Sequence, residues 1–457
     1  MNAAARWVAV GFGLSAMAWA PARGAPGSRI PEDVKRSVES RVDGGFTVGM
    51  VVGVIDAEGT EFFAYGTPSK DIKRPVDEDT VFEIGSITKV FTTLLLAESV
   101  ERGKLELDEP IRAYLPKTVS IPARHGSEIT FRHLATHRSG LPRLPDNLLP
   151  KNGADPYSDY SADSLYAFLS GYALTRDIDS AYEYSNLGAG LLGHTLARTL
   201  NRRYERLIVD RICKPLGMDS TGISLSPSLA RRLAAGHTEG EPVQNWDFDC
   251  LAGCGAIRSS ARDLAAFISV NMGLTDSPLY SAMKTCHGNR FDTGVADLQI
   301  ALGWHVWNKF GTEIIWHNGG TGGSHSFCGF APDRGIGVVV LSNSTHDIDD
   351  IGLHMLESRF KLKRISATVE VPATALDAYL GYYELQPGIV FHVTRKGDDL
   401  YVQLTGQPSY PVYASSLTEF YYKVVDAQLT FVTDDDGPAT ALILHQGGLD
   451  QEAKRIE

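Results

Sequence analysis

The chain reads as an α/β domain, a sheet flanked by helices, followed by a small all-β domain. Three observations carry this reading. Apolar strand patterns stand at both ends of the larger region, with helical patterns between them. After Lys363 the pattern changes to short, closely spaced, alternating strands, which predicts a sandwich or barrel. At 457 residues the chain can bury a large core and hold two domains.

The N-terminus opens with Arg6, an Ala-rich apolar run from Trp7 to Ala20, and Ala20-Pro21-Ala22. This reads as a secretory signal peptide, residues 1–22, cleaved after Ala22. The competing reading is an uncleaved anchor. Residues 28–363 are assigned to the first domain. Pro31-Glu32-Asp33 opens a helix, with proline in the first turn and acids at its positive end. Val48 to Ile55 and Glu61 to Tyr65 are strands joined by a turn at Asp56-Ala57-Glu58-Gly59. Ser86 to Arg102 is helical and Gly103 stops it. Glu128 to Leu141 carries a short helix. Arg143 to Ser161, rich in Pro, Asn, Asp and Ser, is a long loop of the kind that forms lids or binding loops. Leu187 to Leu200 and Tyr204 to Ile212 are helical. Gly337 to Leu341 is a buried strand, and a helix from about Ile348 to Phe360 ends the domain. A linker, 364–373, leads to the second domain, 374–457. Six strands are predicted there: Ile389–Thr394, Asp399–Leu404, Tyr410–Tyr413, Glu419–Val425, Gln428–Thr433 and Ala439–His445. Asp434 to Asp436 reads as a solvated turn rather than a calcium loop.

Composition excludes several functions. The formal net charge of −12, with no basic run, argues against a nucleic-acid partner. Five cysteines, an odd number, do not make a disulfide framework, and Cys250 and Cys254 read as small buried thiols. His133 and His137 have i, i+4 spacing but lack a following Glu and a third ligand, so no metal is expected. No cofactor is expected either, and no membrane span is expected after cleavage.

Ser86-Ile-Thr-Lys89 carries the chemistry. Its spacing puts a hydroxyl and an amine on one helix face, as a serine nucleophile and its lysine base require. A free lysine, with pKa about 10.4, is protonated at neutral pH. Burial and the positive end of a helix dipole lower that value. Two weaker motifs follow: Tyr184-Ser185-Asn186, before a helix, and Trp316-His317-Asn318-Gly319-Gly320-Thr321-Gly322-Gly323. The glycines are not a phosphate loop, since no Gly-Lys-Ser/Thr closes the run. Ser86 also lacks a Gly-x-Ser-x-Gly elbow, against an α/β-hydrolase.

Taken in order, the three motifs resemble the serine β-lactamase and penicillin-binding protein superfamily, in its class C β-lactamase and D,D-carboxypeptidase/esterase branch. Supporting segments are Glu101 to Asp108, Ile129 to Pro142, Pro215 to Met218, Arg258 to Leu264 and Gly303-Trp304. The resemblance implies a β-lactamase/transpeptidase-like α/β (α+β) fold: an antiparallel sheet flanked by helices, plus an all-helical region. It also implies roles. Ser86 would be acylated, and Lys89 would move its proton. Tyr184 would be general acid and base, its phenol pKa lowered by cations. Asn186 would bond substrate and Lys89. The N–H groups of Ser86 and Gly320 would form an oxyanion hole, and Gly319 would let substrate lie along the strand. His317, Asn318, Gly319 and Gly320 would bind substrate. His317 stands where most class C enzymes have lysine, a weaker and pH-dependent cation. Arg143 would favour acidic or carbonyl-rich substrates. Leu376 to Tyr383, Phe420 to Asp426 and Leu444 to Gly448 resemble a lipocalin-like barrel attached to some family members.

The expected function is an exported serine hydrolase, periplasmic or secreted, acting through an acyl-enzyme on D-Ala-type peptides, β-lactams or small esters. D,D-peptidase or D-aminopeptidase activity ranks above efficient β-lactamase turnover because of His317. A non-hydrolytic β-lactam or peptidoglycan sensor is the rival.

Overall fold

A computed structural model describes residues 28–363, 369–422, 425, 427–433, 437–446 and 449–456. The predicted signal peptide lies outside the described residues, as do 364–368 of the linker and the Asp434–Asp436 turn.

The first domain is built on an eight-stranded antiparallel sheet. In spatial order its strands are Gly59–Gly66, Gly49–Asp56, Ile336–Ser342, His325–Ala331, Thr312–Gly320, His305–Lys309, Leu298–Ile300 and Phe291–Asp292. The N-terminal strand pairs with the C-terminal one, Val52 opposite Val340. Both strands are apolar at nearly every position because both faces are covered. Val52 and Val340 pack against the helices Glu32–Asp43 and Asp349–Leu356. Val51 and Val339 face the larger, helix-rich core. The last helix is shorter than the predicted 348–360. The helix from Tyr204 keeps α geometry only to Ile208 and continues as a π turn, Val209–Cys213.

The helix Thr88–Glu101 is buried all round from Thr88 to Ser99, so its apolar residues are not confined to one face. A 3₁₀ turn, Gly85–Ile87, precedes it and carries Ser86. The helix Asn186–Thr199 is capped by Ser185, whose Oγ accepts from Gly188 N at 2.8 Å. Its Gly193 faces Gly253 so closely that a Cβ would stand 2.8 Å from Gly253 Cα. That contact brings the segment Ala252–Cys254 against the helix Thr88–Glu101.

The C-terminal domain is a closed antiparallel barrel. Its strands are Gly381–Gln386, Ile389–Lys396, Asp399–Leu404, Ser409–Ala414, Glu419–Tyr422, Ala427–Thr433, Ala439–Gln446 and Leu449–Arg455. The first and last strands, absent from the sequence reading, close it at Tyr383–Arg455. The last is exposed at most positions and buries Ala453 alone, so it lacks apolar alternation. The interior is filled by Tyr383, Phe391, Leu400, Phe420, Leu429 and Phe431. The expected linker ends in a short helix, Ala373–Asp377. All five cysteines are free. No helix among the described residues is long and apolar enough to cross a membrane.

Candidate active site

The structure brings Ser86, Lys89 and Tyr184 together. Lys89 Nζ donates to Ser86 Oγ at 2.8 Å and to the carbonyl of Cys254 at 2.7 Å. Tyr184 also faces Ser86, which acts to lower the pKa of its phenol. Ser86 keeps partial exposure, whereas Lys89 is 1 % exposed. Burial brings the Lys89 amine down from 10.5 to about 8, a differential of about 3 kcal/mol between its two states. An amine with that value is a competent base near neutral pH.

Tyr184 departs from expectation. Burial pushes its phenol above the usual tyrosine range, although Ser86 and Arg143 oppose the rise. Its ring lies under two cations, with Lys89 Nζ 4.8 Å and Arg143 Cζ 5.3 Å from the centroid. Their field does not outweigh desolvation, so Tyr184 rests as a neutral phenol.

His317 is also corrected. It is 0 % exposed, beneath Tyr184 and His305. Burial and the neighbouring His305 and Lys89 hold it well below the usual histidine value. Its Nδ1 meets the carbonyl of Asn318 at 2.5 Å and therefore carries the proton. Nε2 is a buried lone pair without a partner. The imidazole is neutral, not a part-charged cation.

Asn186 donates from Nδ2 to Tyr157 Oη at 3.2 Å, but its Oδ1 is buried and unpartnered. The expected bond to Lys89 is replaced by the one to Cys254. Asn318 projects to the rear of the sheet, where Nδ2 donates to Asp349 Oδ2 at 2.5 Å. Asp349 also lies 3.3 Å from His325 Nε2. Gly319 is required for a different reason than expected. A Cβ there would meet Ile84 O at 2.0 Å, Ser326 Oγ at 2.6 Å and Ser86 N at 2.9 Å. The serine turn itself, not a ligand, occupies that space.

Gly320 sits on an open strand edge. Thr321 N bonds Ser324 O across the turn. Odd-numbered residues therefore turn their main-chain groups toward the strand His325–Ala331, and Asn318 and Gly320 turn theirs away. The neighbour on that side pairs only as far as Trp316. The turn carrying Ser86 fills part of this space. A Cβ on Gly85, whose φ is +46°, would stand 2.8 Å from Gly320 N.

Residues without a local sequence signal complete the site. His137 Nδ1 accepts from Ser185 N at 3.1 Å, and its ring lies 4.6 Å from that of Tyr184. His133 instead joins Thr130 in a capping box, so the i, i+4 pair has two separate jobs. His305, brought by burial to about 4, bonds Tyr182 Oη at 3.2 Å. Glu83, buried, accepts from Trp246 N and Thr321 Oγ1, both at 2.8 Å, and faces Arg258. The loop after Arg143 is pinned by Tyr157, stacked on Phe248, and by Asp155, which accepts from Asp247 N.

Comparison with known proteins bears on the family and the fold. Residues 366–456 match a domain of unknown function (DUF3471). A β-lactamase of Pseudomonas fluorescens is 27% identical over 353 residues, 69% of this chain and 94% of that protein. The D-alanyl-D-alanine-carboxypeptidase/endopeptidase AmpH of Escherichia coli K12 is 28% identical over 321 residues, 65% of this chain and 80% of that one. A class C β-lactamase structure from Rhodobacter sphaeroides superposes with TM-score 0.62 at 26% identity, covering 72% of this chain and 99% of the other. Because residues 34–354 match the Beta-lactamase family, the chain belongs to it, among the class C β-lactamase and D-Ala carboxypeptidase-like serine hydrolases.

Proposed function

We propose that this protein is an exported hydrolase that cleaves amides or esters through an acyl-enzyme on Ser86. The domains are those of the sequence reading: a leader at 1–22, catalysis in 28–363, a linker and a barrel from 374. The observation that carries the reading is Lys89 Nζ at 2.8 Å from Ser86 Oγ with its pKa near 8.

Lys89 takes the Ser86 proton as Oγ bonds the substrate carbonyl carbon. The N–H groups of Ser86 and Gly320 hold the oxyanion, each worth about 3 kcal/mol in rate. Tyr184 gives its phenolic proton to the leaving nitrogen or oxygen as that bond to carbon breaks. The Lys89 ammonium then restores the phenol. Water repeats the sequence in reverse roles and frees Ser86. Asn186, Asn318 through its main chain and Gly320 border the acyl group, and His317 supports Tyr184 from below.

Substrates are D-Ala-type peptides, β-lactams and small esters. The neutral, covered His317 gives no strand cation for a substrate carboxylate, which favours esters and amides that do not depend on one. The test is intact mass after brief exposure to a penicillin, beside hydrolysis of a chromogenic cephalosporin and a p-nitrophenyl ester, with Ser86→Ala in parallel. A Ser86-dependent adduct or turnover supports the proposal. No adduct and no Ser86-dependent turnover on any of the three overturns it.

A further inference from the structure

Among the described residues, five basic groups surround the Tyr184 ring. Lys89 and Arg143 lie over it. The ring centroids of His137, His317 and His305 are 4.6, 6.2 and 6.4 Å away, and burial keeps all three imidazoles neutral. A guanidinium stays charged across the range in which an amine near pKa 8 titrates. Arg143 therefore supplies the permanent charge of this group.

Its placement is built into the backbone. The Arg143 carbonyl accepts from Asn186 N at 3.0 Å and Leu187 N at 3.1 Å. These are the first residues of the helix that follows Tyr184, so the loop and the Tyr184 turn are tied at one point. The residue is exposed, while Lys89 is buried.

We propose that Arg143 is a positioning residue for proton transfer: its guanidinium, held over the Tyr184 ring, opposes protonation of Lys89 and favours negative charge on the Tyr184 oxygen. This differs from the substrate contact expected from sequence, and it rests on the acyl-enzyme reading. The charge of Arg143 lowers both Lys89 and Tyr184. The other groups facing the pair are Cys254 from its 3₁₀ turn, His137 from the turn before Arg138, His305 and His317 from two strands, and Tyr157 and Tyr182 from loops. These are all neutral at pH 7, so none replaces the guanidinium.

The test uses full-length wild type, Arg143→Gln and Arg143→Lys with p-nitrophenyl acetate, a probe with no charge for Arg143 to bind. The acylation burst is measured from pH 6 to 10. Removing the cation lets Lys89 rise, so less of it is base at pH 7. The expected result is a Gln variant a few-fold slower at pH 7, its rising limb moved up by a fraction of a pH unit, as an exposed and solvent-screened charge would do, converging on wild type near pH 10. Arg143→Lys recovers most of the rate. An equal loss at every pH, with Lys no better than Gln, overturns the proposal in favour of a structural loop anchor. An unchanged profile on the neutral ester, with KM raised only for acidic substrates, overturns it in favour of a substrate contact. A wild type without a burst and without a Ser86 adduct removes the acyl-enzyme reading and this inference with it.

Discussion

The main-chain carbonyl of Cys254 lies 2.7 Å from Lys89 Nζ and holds the amine against Ser86. The carbonyl is there because Gly193 and Gly253 let a helix and a turn touch. Burial at this point depresses the amine to about 8, so the folded protein carries a strained charge at neutral pH.

Lys89→Met tests that cost. A lysine lowered from 10.5 to about 8 makes the unfolded chain bind more protons between those values, so wild-type stability rises with pH across them. Urea unfolding should show the Met variant gaining up to ~3 kcal/mol on wild type at pH 7, less ~1 kcal/mol per lost hydrogen bond. The gain should shrink from pH 8 to 10.5, and acylation should be absent at every pH. A pH-independent difference would contradict the depressed amine.

Gly319 and Gly320 should behave oppositely despite being neighbours. Gly319→Ala drives a Cβ into Ile84 O and Ser86 N, main-chain atoms that cannot turn aside. A loss of roughly 3 kcal/mol or more and loss of acylation are expected. The Gly320 position has Ser324 O at 4.0 Å as its nearest contact, so Gly320→Ala should keep Tm and rate within a few-fold. Thermal melts with a burst assay on both variants decide this.

His317→Lys places the residue usual in class C enzymes at a site with no exposed surface, close to Lys89 and His305. The new ammonium has neither solvent nor a carboxylate among the groups that shift His317. Stability should fall on the order of 3 kcal/mol, and cephalosporin turnover should not rise. A faster, equally stable variant would show that the strand can hold a cation after all.

Glu83 ties three segments around the strand Thr312–Gly320 through Trp246 N, Thr321 Oγ1 and Arg258. Glu83→Ala leaves the buried guanidinium with Asp247 as its remaining acid. A loss of ~3 kcal/mol and slower acylation are expected, with Glu83→Gln milder because it still accepts two of the bonds. Equal effects of Ala and Gln would show that charge alone matters.

Much of the site was legible because its chemistry is local. Ser86 and Lys89 share a helix face by spacing alone, and the three motifs, read in order, carried the family. Six of the barrel's eight strands showed themselves through alternation. The first, where only Tyr383 is buried, and the last, where Asp450, Gln451 and Glu452 offer no apolar alternation, did not.

Charge states and partners were not local. The residue types at 184 and 317 suggested a lowered phenol and a part-charged imidazole, but the depth of burial reversed the first and erased the second. Lys89 bonds Cys254 rather than Asn186, through a helix contact made by residues 60 positions apart in the chain, Gly193 and Gly253. His137, His305 and Glu83 reach the site only when separate strands and loops meet. Which side chains are present, and which neighbours lie within one turn or one strand, follows from the order of residues. Desolvation and the electric field at each group depend on everything packed around it, and that exists only once the chain has folded.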